Sequence, residues 1–458
     1  MKLQKIRSYD LGIPIRQLRS ANITLRDGQP GMLFVFSEEP NIDPGEEYVH
    51  FAQHPLHIAV YTEDGTRLWE KVLGLNVLPG VWFCPVLPFD LDQDGVDEVY
   101  FLNNNSDAPF SMEHRRLQRL DGMTGELTGD WPWPKNTEHE PLSHCYRYYL
   151  LGGYAHGEPV LIASQGTYGD MFLQGYGPGM KKRWDTVIAE EAPGPRTSHV
   201  TPVLDYNGDG VDEVFWGERV LSVADGHEIY CYAPKYHGHS DALVPFMDYR
   251  TKEMYLFTCR EDHETEGERR VQVFRMDDGT VAWNAIDAGH MHRAWVATLL
   301  DGYRKQAMVM RVVWRPTENG YEHAYDGEFY FDAYTGAPME WKLPVKGSMM
   351  TPIDLNGDGY HELLTVSGPE KGRLFDRNGT ELARIDGTLL RSGKLVEHPG
   401  EQLMMYQPGE PAVWILADED AADGEIIRMR YATGYHRFMQ KLTATGYNGY
   451  GGAISAGI

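Results

Sequence analysis

Histidine opens four successive stretches of this chain: Ser143-His144-Cys145-Tyr146, Ser198-His199-Val200-Thr201, His237-Gly238-His239-Ser240-Asp241 and Gly289-His290-Met291-His292-Arg293. They recur roughly every 40 to 55 residues, and each leads into an apolar run of strand character. Imidazole titrates near neutrality and ligates metals, so a gathering of these residues could move protons or hold a cation. One such histidine is more often structural; four at equivalent points of a repeat argue for a shared site.

The third of these stretches is the richest. His237 to Leu243 precedes a second apolar run, Met254 to Cys259, which ends in Arg260-Glu261-Asp262-His263-Glu264. As neighbouring antiparallel strands, the two would set His239 and Asp241 against the Arg260–His263 end. Imidazole plus carboxylate is a divalent-metal set, and His199 from the preceding unit could complete it. A hydrogen-bonded charge cluster without metal would use the same residues.

Units that each donate a histidine converge only if they stand around an axis, and the β-propeller does this. Short alternating runs fill the chain, and helical periodicity is nearly absent. Turns recur near the end of each unit, often ahead of Trp: Asp64-Gly65 before Trp69, Thr124-Gly125 before Trp131, Gly177-Pro178-Gly179 before Trp184, Asp225-Gly226, Asp278-Gly279 before Trp283, Thr335-Gly336 before Trp341, Asn378-Gly379 and Asp423-Gly424. They read as hairpins between the third and outermost strands. The expectation is an all-β chain, residues 1–458 forming one propeller of eight four-stranded blades. Seven stays open because the third and eighth turns are poor, and a Gly-rich tail or closing strand is expected over 447–458.

Three loops repeat one pattern: Asp90-Leu91-Asp92-Gln93-Asp94-Gly95, Asp205-Tyr206-Asn207-Gly208-Asp209-Gly210 and Asp354-Leu355-Asn356-Gly357-Asp358-Gly359. Oxygen ligands around a tight turn suit calcium, but a hairpin capped by its own Asp and Asn side chains reads the same. Either way the loops are structural.

Composition narrows the partners. A net charge of −25 argues against nucleic acid. No apolar run is long enough for a membrane helix, and Met1 to Leu11 lacks the apolar core of a signal peptide, so a cytoplasmic protein is expected, or a secreted one if a leader has been trimmed; a monomer is the expected state. The four cysteines have no paired spacing and read as free thiols.

His-Gly-His-Ser-Asp-Ala-Leu, the acidic strand end after it, and Val273-Phe274-Arg275-Met276-Asp277-Asp278-Gly279-Thr280-Val281-Ala282-Trp283 together resemble the eight-bladed rhamnogalacturonan lyases. The likeness is best over 195–365. It implies that the family's calcium-binding His and Asp fall on His239 and Asp241, an acidic ligand near Glu261 or at Asp262, and a further His on His199. It thus implies a divalent metal, calcium before zinc, and an acidic polysaccharide or oligosaccharide substrate. Where those lyases carry an Arg between glycines, this chain has His290-Met291-His292-Arg293. In that respect it is more similar to ulvan lyases and other propeller lyases that cut rhamnose–uronate bonds.

Such a reaction removes the proton beside a uronate carboxylate and expels the O4 substituent. It needs a neutralised carboxylate, a base and an acid. The corresponding expectations are Arg260 as neutraliser, helped by a metal on His199, His239 and Asp241, with His199 or His290 as base and Tyr236 as acid. His144, Tyr168, His292 and Arg293 would contact sugar. His199 cannot serve as both ligand and base. Trp82, Trp295 and Trp314 could stack on sugar rings, although core placement is the commoner fate of tryptophan. Two other readings use the same scaffold: a glycoside hydrolase releasing rhamnose from a rhamnosyl-glucuronate, and a non-catalytic calcium-binding propeller.

Overall fold

The computed structural model describes residues 1–43, 51–106, 108, 111–134, 144–261, 268–317 and 320–448. Its strands form eight sheets, seven of four strands and one of three. In chain order the blades span 17–72, 86–132, 148–188, 203–231, 240–285, 290–332, 350–384 and 388–418. Within each sheet consecutive strands pair antiparallel, and the first strand is innermost. Burial sorts the strands accordingly. The first strand of blade 5, Ser240–Met247, is buried almost throughout, whereas the outermost strand of blade 2, Leu127–Pro132, is largely exposed.

The eighth blade takes its fourth strand from the other end of the chain. Leu3–Asp10 pairs antiparallel with Ala412–Asp418, from Leu3 opposite Asp418 to Asp10 opposite Ala412. This closes the ring, and it corrects the eighth hairpin. Asp423-Gly424 leads instead into a helix, Glu425–Ala432, followed by a second, Gly434–Met439. Blade 6 departs in another way. After its Thr335-Gly336 turn the chain touches Phe331 at a single bridge from Pro338. Proline has no N–H to continue a ladder, and the Trp341 ring stacks on Tyr330 in place of a fourth strand.

The turn glycines and the tryptophans act together between blades. Trp69 of blade 1 donates to the Gly122 carbonyl of blade 2, Trp184 of blade 3 to Val223 of blade 4, and Trp283 of blade 5 to Ala333 of blade 6. Each ring lies under the next blade's turn glycine. A Cβ on Gly125 would come within 2.6 Å of Trp69, and one on Gly336 within 2.7 Å of Trp283. These glycines also hold φ near +70°, so two separate demands exclude a side chain.

The C-terminal helices enter the axial channel. Arg430, fully buried, pairs with Asp354 at 3.4 Å and Glu401 at 3.2 Å. Beyond them the chain climbs the axis: Thr443 donates to the Ser20 carbonyl, Thr445 accepts from the Leu150 amide, and the Tyr447 amide donates to the His199 carbonyl. Tyr447 and Asn448 therefore lie in the channel, where the sequence suggested a tail or a closing strand; 449–458 lie outside the described residues.

The three Asp-Gly loops sit between first and second strands of blades 2, 4 and 7, at the opposite end of the ring from the histidines. Their side chains cap their own backbone in one repeated scheme. Asp90, Asp205 and Asp354 accept from the amides of Gly95, Gly210 and Gly359. Glu98, Glu213 and Glu362 reach back to the amides of Leu91, Tyr206 and Leu355. Cys84, Cys145 and Cys259 are buried free thiols, and Cys231 is half-buried. Among the described residues no helix is long and apolar enough to cross a membrane.

Candidate active site

Two innermost strands begin with a β-bulge, and each bulge carries a polar residue of the site. In blade 5 the pairing register shifts between Ser240 and Ala242, leaving Asp241 as the extra residue. In blade 6 it shifts between Met291 and Arg293, leaving His292. A bulge releases one residue from the ladder and re-aims its side chain. Here both side chains turn toward one point. Asp241 Oδ2 lies 3.0 Å from His290 Nε2 and 3.0 Å from His292 Nδ1, and its Oδ1 lies 3.5 Å from His199 Nε2 and 3.8 Å from His239 Nε2. Three blades thus converge on one carboxylate, as the repeat of histidines required.

Glu261 joins from the end of the strand Met254–Arg260. Its amide donates to the His239 carbonyl, and its carboxylate accepts from Tyr168 at 3.4 Å. His199, His239, Asp241 and Glu261 present ligand atoms all within 4.8 Å of one another; Asp241, His290 and His292 form a second such trio. Both ring nitrogens of His239 and Oδ1 of Asp241 are buried with no hydrogen-bond partner. Buried polar atoms left this way are costly, and a cation bound between them removes that cost. The donor set therefore fits a divalent metal.

Electrostatics keeps the ligands in the form a metal needs. Burial, and then the neighbouring His239 and Arg147, hold His199 neutral, well below the usual imidazole range. Burial likewise lowers His239. Burial alone would raise Asp241, but hydrogen bonds from His290 and His292 keep its carboxyl well below the usual value. Burial, and then Glu261, push the Tyr168 hydroxyl well above its ordinary range.

Arg147 decides what His199 can do. Its Nη1 lies 3.1 Å from His199 Nδ1. Arginine only donates, so Nδ1 accepts and the ring proton sits on Nε2, facing Asp241. In this tautomer Nδ1 is taken by Arg147, and Nε2 is the nitrogen that faces the cluster. Arg147 is itself held near Asp43, which also accepts from Trp82 and from the Tyr447 hydroxyl.

Several sequence expectations are corrected by burial. Arg260 is completely enclosed and held by Glu218 at 2.9 Å and Glu268 at 3.1 Å, which leaves it no access to a substrate carboxylate. Tyr236 is also fully buried. Its hydroxyl donates to the His239 carbonyl at 2.6 Å and its ring carries the Arg260 guanidinium at 4.2 Å. The pair supports the His239 backbone from behind. His237 turns away and meets the Glu190 carbonyl. His144 lies against Tyr168, with ring centres 5.3 Å apart, and Tyr168 lies equally close to His239. Asp262 lies outside the described residues, and Glu261 stands in the acidic position. Trp82 and Trp295 are core residues, whereas Trp314 is exposed.

A cavity of about 840 Å³ opens above the cluster, lined by His199, Asp241, His292, Arg293, Tyr325 and Lys346, with Tyr447 from the C-terminal segment. Arg293 and Lys346 bring positive charge to a strongly acidic protein. Lys346 and Tyr447 escaped the sequence reading, since neither sits in a repeated motif. The cavity of about 860 Å³ at the other end is lined by Asp205, Asn207, Lys252 and Tyr435 but by no histidine.

Fold and site together define an eight-bladed β-propeller with a histidine–carboxylate centre at one mouth. No family model matches the chain. Its relatives are rhamnogalacturonan lyases, which bears out the resemblance carried by His237 to Leu243. It is 29% identical over 238 residues to the rhamnogalacturonan exolyase YesX of Bacillus subtilis (strain 168), a match covering 45% of this chain and 38% of the relative. It is 28% identical over 218 residues to the rhamnogalacturonan endolyase YesW of the same organism, covering 41% of this chain and 34% of the relative. The matched stretch thus spans well under half the length of these curated relatives. The crystal structure of the exotype lyase YesX superposes with a TM-score of 0.75 at 19% identity, over 96% of this chain and 80% of that one. The rhamnogalacturonan lyase of Bacillus licheniformis gives 0.76 at 19%, over 97% and 81%. At this identity the likeness establishes the propeller fold.

Proposed function

We propose that the protein is a polysaccharide lyase that cleaves a rhamnose–uronate linkage of an acidic polysaccharide or oligosaccharide by β-elimination. The observation that carries this reading is the Asp241-centred cluster, with its unpartnered His239 and Asp241 atoms, opening into a cleft that also holds Arg293 and Lys346. Similarity to lyases named for rhamnogalacturonan supports the chemistry. An ulvan-like substrate is the extension suggested by the histidines where the family has arginine.

His239, Asp241 and Glu261 would hold a divalent cation. When bound it supplies positive charge to a uronate carboxylate, easing formation of the carbanion beside it. Mixed imidazole and carboxylate donors suit a first-row metal or zinc at least as well as calcium, whose cages are built from oxygen. Arg293 and Lys346 orient the substrate carboxylate and share its charge. His292 is the base. Its side chain is 48% exposed in the cleft, while Asp241 holds Nδ1 and so fixes the ring. The Tyr447 hydroxyl, beside His199 and Asp43, is placed to serve the leaving oxygen.

The test is ultraviolet absorbance of an unsaturated uronate product from rhamnogalacturonan, ulvan and glucuronate-bearing gums, with and without chelator. A rise abolished by chelator and restored by added metal is expected. Reducing sugar released with no change in absorbance would replace the lyase by a hydrolase.

A further inference from the structure

The cleft has an annex between blades 8 and 1. A pocket of about 230 Å³ lies there, and among the described residues its wall includes Arg16, Gln17, Arg19, Asn41, Leu389 and Arg391. Asn41 and Leu389 also line the cleft above the Asp241 cluster, so the two spaces share a wall. The strands explain the position. Gln17 opens the innermost strand of blade 1, Gln17–Thr24, and Thr388 opens that of blade 8, Thr388–Gly393. Ser240 and His290 open the innermost strands of blades 5 and 6 at the same mouth. The blade 8 strand also starts with a bulge, its register shifting between Leu389 and Arg391. Arg391 then reaches across to blade 1.

The charge in this pocket is not balanced by the protein. Arg391 is only 2% exposed. Its Nε donates to the Ser20 hydroxyl at 2.7 Å, its Nη2 to Asn22 Oδ1 at 2.6 Å, and its Nη1 to Gln440 Oε1. These acceptors are neutral, and among the described residues no carboxylate pairs with the guanidinium. Burial works against a charge held this way. Arg16 is exposed where it lines the pocket, and among the described residues its side chain forms no ion pair. Elsewhere on this protein of net charge −25, arginines such as Arg116, Arg183 and Arg373 are met by carboxylates. Gln17 adds an acceptor. Its Nε2 is held by the Pro40 carbonyl at 3.1 Å and the Pro79 carbonyl at 2.7 Å, which leaves Oε1 buried without a donor. Positive charge and an amide oxygen beside a carbohydrate cleft match a sugar that carries a carboxylate and hydroxyls.

We propose that this pocket is a second acid-recognition subsite, in which Arg16 pairs with the carboxylate of another uronate of the same chain and the charge of Arg391 lies behind it. The inference rests on the reading of the cleft as a site for acidic carbohydrate. A polymer that alternates rhamnose and uronate bears a carboxylate on every other sugar. Arg293 and Lys346 can then hold one acid while the annex holds another. A guanidinium suits this task because its planar fork meets both carboxylate oxygens. The bond to be cut lies in the cleft, so the annex acts on binding and on the choice of substrate. It favours chains with two or more uronates over fragments with one.

The experiment compares wild type with Arg16→Ala, Arg16→Lys and Lys181→Ala. The last is a control for charge alone, since it removes an exposed cation from the outermost strand of blade 3. Binding is read as retardation in native gels cast with rhamnogalacturonan, with ulvan or with a neutral glucan. KM and kcat are read on oligosaccharides with one uronate and with two or more. Arg16→Ala is expected to weaken retardation by the acidic polymers by about threefold to tenfold. It should raise KM on the longer oligosaccharides to a similar degree with little change in kcat, and affect one-uronate fragments less. Arg16→Lys should recover part of the binding, and Lys181→Ala should match wild type. Unchanged retardation of Arg16→Ala, an equal loss on both lengths, or an equal loss in Lys181→Ala overturns the subsite. Arg16-dependent retardation of a protein that forms no unsaturated product supports the subsite and removes the lyase reading.

Discussion

Asp241 is the residue on which the centre turns, because four histidines point at its two oxygens. Roles around it separate by access. His292→Ala is expected to lower kcat by about 10²-fold to 10⁴-fold with bound metal and melting temperature close to wild type. Arg260→Ala should do the reverse in kind. It leaves Glu218 buried without its cation, at a cost of about 3–5 kcal/mol, so a fall in melting temperature dominates. Steady-state kinetics, metal content and thermal melts on both variants check this; a kcat loss at full stability in Arg260→Ala would return that residue to catalysis. His199, His239 and His290 were legible in the sequence because histidine recurs at equivalent places in successive units, and Asp241 because it stands two residues after one of them. Arg260 was misread because adjacency to histidines says nothing about the carboxylate of Glu218, waiting on another blade. Arg147 and Lys346 stand alone in their stretches, and only the folded geometry gives them neighbours.

At the scale of elements, the turn landmarks were readable since each needs a glycine twice over, for its backbone angle and for the tryptophan beneath it. The C-terminal helices were not. The first buries only Ile427 and Arg430, and a buried arginine met by Asp354 and Glu401 leaves no apolar stripe to detect. The Asp-Gly loops carry a titration that belongs to the element. Burial, and then the loop's own aspartates, raise Glu213 to about 8. The folded state therefore keeps a proton that the unfolded chain releases near its ordinary value. The associated stability is full below about pH 4.5 and is lost as pH rises to about 8. Melting temperature should fall across that window in wild type, and Glu213→Gln should flatten the fall. Equal slopes in the two proteins would place the titration elsewhere.

For the molecule as a whole, the eightfold repeat announced the ring, but not the strand that seals it. Leu3–Asp10 has no repeat partner in its own neighbourhood, and its match in blade 8 lies at the far end of the chain. Removing residues 1–10 should expose the edge of Ala412–Asp418, lower the melting temperature and promote association through that edge. Thermal melts with light scattering test this, and a monomer of unchanged stability would contradict it. The segment along the axis has a further consequence in time. Tyr447 reaches His199 only after every blade has been made, and blade 8 is finished by a strand that precedes the other described strands in the chain. Such long-range closures are slow. A chain under synthesis can hold seven nearly finished blades and still lack the closed mouth, so the Asp241 cluster meets its axial wall only when the ring and its axis are both in place.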